Sequence, residues 1–198
     1  MNQHFKPLPR RQPTQAAEGL PRWRWTVAEI ERVAAAGVFH EDEKFELLGG
    51  EIVPMSPRGR RHEIVRGVLA MHLTRIAPAD IFVMAEAQFN LTDDSYVLPD
   101  ILVHSAKLRT PDVRGPDALL AIEISDSSLG FDLNTKAPLY AGYGVPEYWV
   151  INVNTLTTTV HGGLASGVYA KPREIRKGRQ LTPSLVPALA VTLGKLDL

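Results

Sequence analysis

Two acids and a lysine are the residues of this sequence best placed to do chemistry. Asp100 follows Pro99 and opens the apolar run ILVH, and Glu123 stands inside ALLAIEI (118–124). A carboxylate in an apolar strand is costly unless something offsets its charge. On adjacent strands the two acids can face one point and hold a divalent cation. Mg2+ takes oxygen ligands, usually one or two carboxylates with waters and substrate phosphate, and the main-chain carbonyl of Ile124 could add another. Lys136 lies thirteen residues after Glu123, within the series Asp132, Lys136, Tyr140 at steps of four. Beside a metal that polarises phosphate, its ammonium could orient the nucleophile and steady charge on the phosphoryl oxygens. Taken singly, each residue has a plainer use. Asp100 could cap a turn, Glu123 could pair with a buried arginine, and Lys136 could be an exposed helix lysine paired with Asp132.

The elements that must position these residues follow from local signals. TVAE (26–29) fits a capping box, with a helix ending at Gly37. KFELLGGEIVPM (44–55) predicts a hairpin around Gly49 and Gly50. Ile64, Val65, Val68, Leu69, His72, Leu73 and Ile76 repeat at helical spacing, which predicts a helix over about 60–77, closed by Pro78. IFVMAEAQFNL (81–91) and YVLPDILVH (96–104) predict strands on either side of the turn Thr92–Ser95. ALLAIEI is apolar enough for a central strand buried on both faces. A helix ending at Gly142 or Gly144 follows, then a strand at PEYWVINV (146–153), in which GVPEYW reads as structural. TTTVHGG and VYAKP predict a late hairpin. Pro138 conflicts with a helix already established at Asp132, because proline removes a hydrogen bond. The helix either starts near Thr135 or begins at Asp132 and kinks. The alternation of helices and strands favours an α/β domain with a mixed sheet.

The 198 residues, 44% hydrophobic and 22% charged, suit one folded domain (25–198) behind a flexible basic arm (1–24) that holds four prolines. The start has no apolar stretch of the secretory kind, and no run approaches the roughly 18 residues of a membrane span. Without cysteine there are no disulfides and no thiolate sites. A cytoplasmic protein is the expectation. Net charge is zero, which argues against strong indiscriminate nucleic-acid binding. Basic groups nevertheless cluster in residues 1–24, in KPREIRKGR (171–179), and at Arg58, Arg60, Arg61 and Arg66. Beside an acidic metal site such patches would suit a polyanion.

The motifs PDILV and LLAIEISDSSLGFDLNTKAPLYAGYGVPEYWVINV, with FELLGGEIVPMSP and His62 at the start of the next helix, closely resemble the Uma-two family of restriction endonucleases. That family lies in the PD-(D/E)xK nuclease superfamily, and the resemblance spans roughly residues 25–190. It implies a restriction-endonuclease-like α/β core, a mixed sheet flanked by helices with an extra N-terminal hairpin. It also implies an Mg2+-dependent (Mn2+ as substitute) endodeoxyribonuclease, with Asp100 and Glu123 as metal ligands. The superfamily's lysine would fall at Ser125, and in this pattern it moves to the following helix as Lys136. Asp132, Tyr140, Glu46 and His62 match further positions and become supporting residues: Glu46 for metal, His62 for phosphate or proton relay. DNA is the expected substrate, a homodimer the expected assembly. A weakly active or inactive nucleic-acid-binding protein on the same scaffold is the alternative, and a hydrolase of another phosphoester a third reading.

Overall fold

A computed structural model describes residues 22–40, 43–55 and 57–198. Most of the proposed basic arm therefore lies outside the described residues. The first helix, α1 (Val27–Ala35), starts with the expected capping box. The Glu29 N–H donates to Thr26 Oγ1, and the Thr26 N–H donates to the Glu29 carboxylate at 2.8 Å. Strands β1 (Phe45–Leu48) and β2 (Glu51–Pro54) form the expected hairpin. Gly49 and Gly50 at its tip both have positive φ, 57° and 80°, as the tight two-residue turn requires.

The chain next forms α2 (Arg60–Ile76), β3 (Ile81–Ala85), β4 (Phe89–Thr92), β5 (Ser95–Val97) and β6 (Ile101–Ser105). Here the sequence reading is corrected. IFVMAEAQFNL is two strands, and YVLPDILVH is two more, split between different sheets. An antiparallel four-stranded sheet has the order β2-β1-β5-β4; a mixed six-stranded sheet adds β7 (Ala118–Ser125), β8 (Tyr148–Asn152), β9 (Thr158–His161) and β10 (Arg173–Ile175) in the order β10-β9-β8-β7-β6-β3. The chain leaves the larger sheet after β3, through Glu86 at a left-handed φ of 52°, and returns through Leu98, Pro99 and Asp100. Pro99 cannot donate to a ladder, so pairing breaks there.

Strand β7 (Ala118–Ser125) is central and almost wholly buried, as expected. It pairs antiparallel with β6 and parallel with β8 (Tyr148–Asn152). A parallel neighbour needs a crossover connection, here supplied by helical residues 129–142. Gly144 at φ 82° ends that segment, and Tyr148 and Trp149 are buried in the core, the structural reading given to GVPEYW. Strand β9 (Thr158–His161) pairs with β10 (Arg173–Ile175), not with the VYAKP segment expected to close the late hairpin.

Side-chain alternation builds two cores on opposite faces of the large sheet. Ile101, Val103, Leu120, Ile122, Trp149 and Ile151 pack with Val65, Leu69 and Leu73 of α2. Leu102, Ala121, Tyr148 and Val150 pack on the other face with Phe89, Val97, Ala137 and Tyr140. That alternation decides where Asp100 and Glu123 stand.

Candidate active site

In β6–β7 pairing Ile101 lies opposite Ile122, and Leu102 opposite Ala121. One more step of that register sets Asp100 opposite Glu123, on the face shared by Leu102 and Ala121. The two acids thus occupy one face at the seam between the sheets, and both are buried, at 2% and 5% exposure.

The lysine arrives by an unusual helix. Leu129–Phe131 forms one α-turn (α3), Asp132–Lys136 one wide turn, and Ala137–Gly142 the helix α4. In the wide turn the Ala137 N–H bonds to the Asp132 carbonyl, five residues back. Such widening suits Pro138, which has no N–H and whose ring crowds the carbonyl four residues earlier. The helix thus begins before Asp132, and the proline is absorbed by a bulge. Asp132, Lys136 and Tyr140 are all buried behind it. Lys136 is accordingly not the exposed lysine of the plainer reading. Its Nζ donates to Glu123 Oε1 at 2.9 Å and to Glu46 Oε1 at 2.8 Å, with Asp132 Oδ1 at 3.9 Å. Glu123's partner is thus this lysine and not a buried arginine.

Each acid is held by further contacts. Glu46, on β1, accepts the Leu98 N–H at 2.9 Å, which ties the smaller sheet to the seam. The Tyr140 hydroxyl donates to Glu123 Oε1 at 3.4 Å. Asp132 Oδ2 accepts from Ser125 Oγ at 2.6 Å and Ser128 Oγ at 2.7 Å. Ser125, which occupies the place where a lysine was expected, therefore braces the helix that delivers Lys136. Asp100 Oδ2 accepts the Ile124 N–H at 2.8 Å and lies 3.1 Å from His62 Nε2. Its Oδ1 has no hydrogen-bond partner, although Arg58 Nη2 stands 3.3 Å away. The guanidinium meets that oxygen as an ion pair, without the alignment of a hydrogen bond.

Burial and like charges set the electrostatics. Burial pushes Glu123 well above the usual carboxyl range; Lys136 opposes the rise, and Asp100, Asp132 and Glu46 reinforce it. For Lys136, burial pulls down, but Glu123, Glu46 and Asp132 outweigh it and hold the ammonium above its ordinary range. Burial lifts Tyr140 as well, with Glu123 next in weight. A crowd of perturbed groups in a cleft is the electrostatic signature of a functional site.

A cavity of about 310 Å³ opens onto this network. Glu46, Glu123, Asp132 and Lys136 line one part, Arg58, Gly59 and His62 another, with Ile124, Asp126 and Phe131 also in its wall. Among the described residues no three His, Asp or Glu side chains converge as a ready-made metal cage. Mg2+ does not need one, since it keeps waters and takes one or two carboxylates. The donor set suits such a hard cation: a buried Asp100 oxygen without a hydrogen bond and a Glu123 that faces the cavity.

The sequence had named Glu46, His62, Asp100, Glu123, Asp132, Lys136 and Tyr140, and the fold brings all of them to this seam. It had not singled out Ser125 and Ser128 as braces for Asp132, the Leu98 N–H as an anchor for Glu46, or Arg58 beside Asp100. The S-D-S-S run (125–128) before the helix was the one local signal for the serines.

With the geometry in place, comparison with known proteins is informative. The Uma2 family, described as "Putative restriction endonuclease", matches residues 27–194. No curated protein matches the chain. Among solved structures, a "putative nuclease belonging to DUF820" from Anabaena variabilis ATCC 29413 superposes with a TM-score of 0.68 at 13% identity, covering 86% of this chain and 96% of that one. At that identity the likeness concerns the fold.

Proposed function

Because the chain belongs to the Uma2 family, a nuclease-like family whose substrate is nucleic acid, we propose that it is a metal-dependent endonuclease hydrolysing DNA phosphodiester bonds. The observation that carries this reading is the buried Lys136 bonded to Glu123 and Glu46 beside a cavity, with Asp100 opposite Glu123. Asp100, Glu123 and the Ile124 carbonyl would hold Mg2+ or Mn2+, which when bound supplies Lewis acidity toward phosphate and lowers the pKa of bound water.

The remaining work falls to the chain's own groups. Lys136 steadies the charge that develops on the phosphoryl oxygens as water attacks phosphorus and the bridging P–O bond breaks. Glu46 accepts a second hydrogen bond from the ammonium beside that of Glu123, which fixes its direction. Asp132, braced by Ser125 and Ser128, keeps the wide turn in place. His62 orients Asp100 and, at the cavity wall, can pass a proton to the leaving oxygen. The protein would act in the cytoplasm, with a homodimer as its assembly. Among the described residues no helix is long and apolar enough to cross a membrane.

The test is cleavage of supercoiled plasmid with Mg2+, Mn2+ or chelator. Metal-dependent nicking is expected, with Asp100→Asn, Glu123→Gln and Lys136→Met each lowering the rate by about 10²-fold or more, in the range for lost transition-state contacts. Duplex binding without cutting under any metal would replace this reading with the binding-only one.

A further inference from the structure

The basic group around Arg58 has no part in the scheme above. Arg58 lies just before α2, and its side chain, 14% exposed, stands between two carboxyls: Glu86, to which it is ion-paired, and Asp100, 3.3 Å away. Lys44 and Arg66 converge on the same Glu86 oxygen, and Arg66 also pairs with Glu63. Glu86 holds its place by a left-handed φ of 52°, uncommon for a residue with a side chain, and its N–H donates to the Asp100 carbonyl at 3.2 Å. Arg58 is thus fixed relative to the proposed metal ligand. It also separates two cavities. One is the 310 Å³ cavity of the acidic site; the other, about 220 Å³, is lined by Glu43, Lys44, Glu86, Gln88 and Tyr96.

Resting on the nuclease reading, we propose that Arg58 grips the backbone phosphate next to the scissile one. The smaller cavity then receives the nucleotide attached to that phosphate. An arginine fork matches a phosphate with two parallel bonds. Two carboxyls at its sides keep the fork extended without filling the cavities it borders. Arrival of a phosphate exchanges the Glu86 partner for phosphoryl oxygens, and Lys44 follows the strand into the second cavity. Zero net charge is no obstacle, because the contact is local and aimed.

The proposal separates Arg58 from Glu86 by the sign of their effects. Anisotropy of a short labelled duplex, titrated with protein at several salt concentrations, is read in chelator and again with Ca2+. Arg58→Ala is expected to weaken binding roughly tenfold and to reduce the slope of log affinity against log salt by about one, the share of one phosphate contact. Arg58→Lys keeps the slope and loses less affinity. Glu86→Gln, which removes the competing carboxylate, tightens binding. Thermal midpoints of all three are measured alongside. Folded Arg58→Ala with unchanged affinity and slope overturns the proposal while leaving cleavage intact. So does Glu86→Gln that weakens binding as Arg58→Ala does, because a merely structural pair behaves that way. Wild type that binds duplex through Arg58 yet never cuts supports the phosphate contact alone and overturns the catalytic reading, and with it the contact's place beside a scissile phosphate. Wild type that binds no duplex in either condition overturns both.

Discussion

Asp100 stands between two charge clusters of opposite composition. On one side Glu46, Glu123 and Asp132 surround a single cation, Lys136, and each is at most 5% exposed. On the other, Lys44, Arg58 and Arg66 surround a single anion, Glu86, whose side chain is 35% exposed. Counting groups, each sets three ionisable side chains of one kind against one of the other. Physically they differ, because water screens the second and is excluded from the first. The buried cluster behaves as a unit from which no member can be removed cheaply. The wetter one can exchange partners, which is what contact with a polyanion demands.

Breaking the buried cluster gives the largest effect. Lys136→Met leaves three carboxyls without their cation and is expected to cost about 3–5 kcal/mol, the range for a broken buried pair, by chemical denaturation. Adding Glu46→Gln and Glu123→Gln should recover part of that loss; no recovery would mean the lysine acts through packing alone. Ser125→Ala removes the 2.6 Å donor to buried Asp132 and should cost about 1–3 kcal/mol. Removing Lys44 from the wetter cluster should cost at most about 1 kcal/mol, as for exposed pairs. A loss as large as that of Lys136→Met would erase the distinction.

The two clusters should also fail at opposite ends of the pH scale. The hydrogen bond from Arg66 leads in drawing Glu86 down from 4.5 to about 2, against the cost of burial, with Lys44 and Arg58 adding to it. A lowered carboxyl contributes stability above its unfolded value and loses it as pH falls through the folded one. The wetter cluster therefore weakens between about 4.5 and about 2, and Glu86→Gln should flatten the denaturation midpoint across that window. Lys136 is raised above 10.5, so its contribution persists below that value and goes only as pH climbs beyond it. Glu123, also raised, favours its protonated form, and that part of its contribution is lost as pH rises. Acid sensitivity that survives Glu86→Gln unchanged would place its origin elsewhere.

Much of the frame was legible because its signals are local. The capping box at Thr26, the two glycines of the hairpin and the apolar β7 each depend on a few neighbouring residues. Residues 81–104 were harder. Glu86 to Gln88 and Leu98 to Asp100 interrupt strands without lowering their apolar content much, so one run resembled one strand. Only Pro99 hinted that the chain changes sheets. The late hairpin failed similarly, since the partner of β9 is Arg173–Ile175 beyond an irregular segment. In the site, the acids could be paired from strand positions alone. Lys136 needed the family resemblance, because its reach depends on a wide turn that no helical periodicity contains. The Leu98 N–H on Glu46 and Arg58 beside Asp100 join residues far apart in sequence, a relation visible only after folding.

Everything catalytic in this account rests on Asp100 and Glu123 sharing a divalent cation. Mn2+ titrated into the protein and followed by the paramagnetic resonance of the free ion tests that directly, without DNA or turnover. Wild type should deplete the free-ion signal, and Asp100→Asn with Glu123→Gln should restore it while the fold, by circular dichroism, is retained. Undiminished free Mn2+ with wild type, or equal depletion by the double variant, would contradict it.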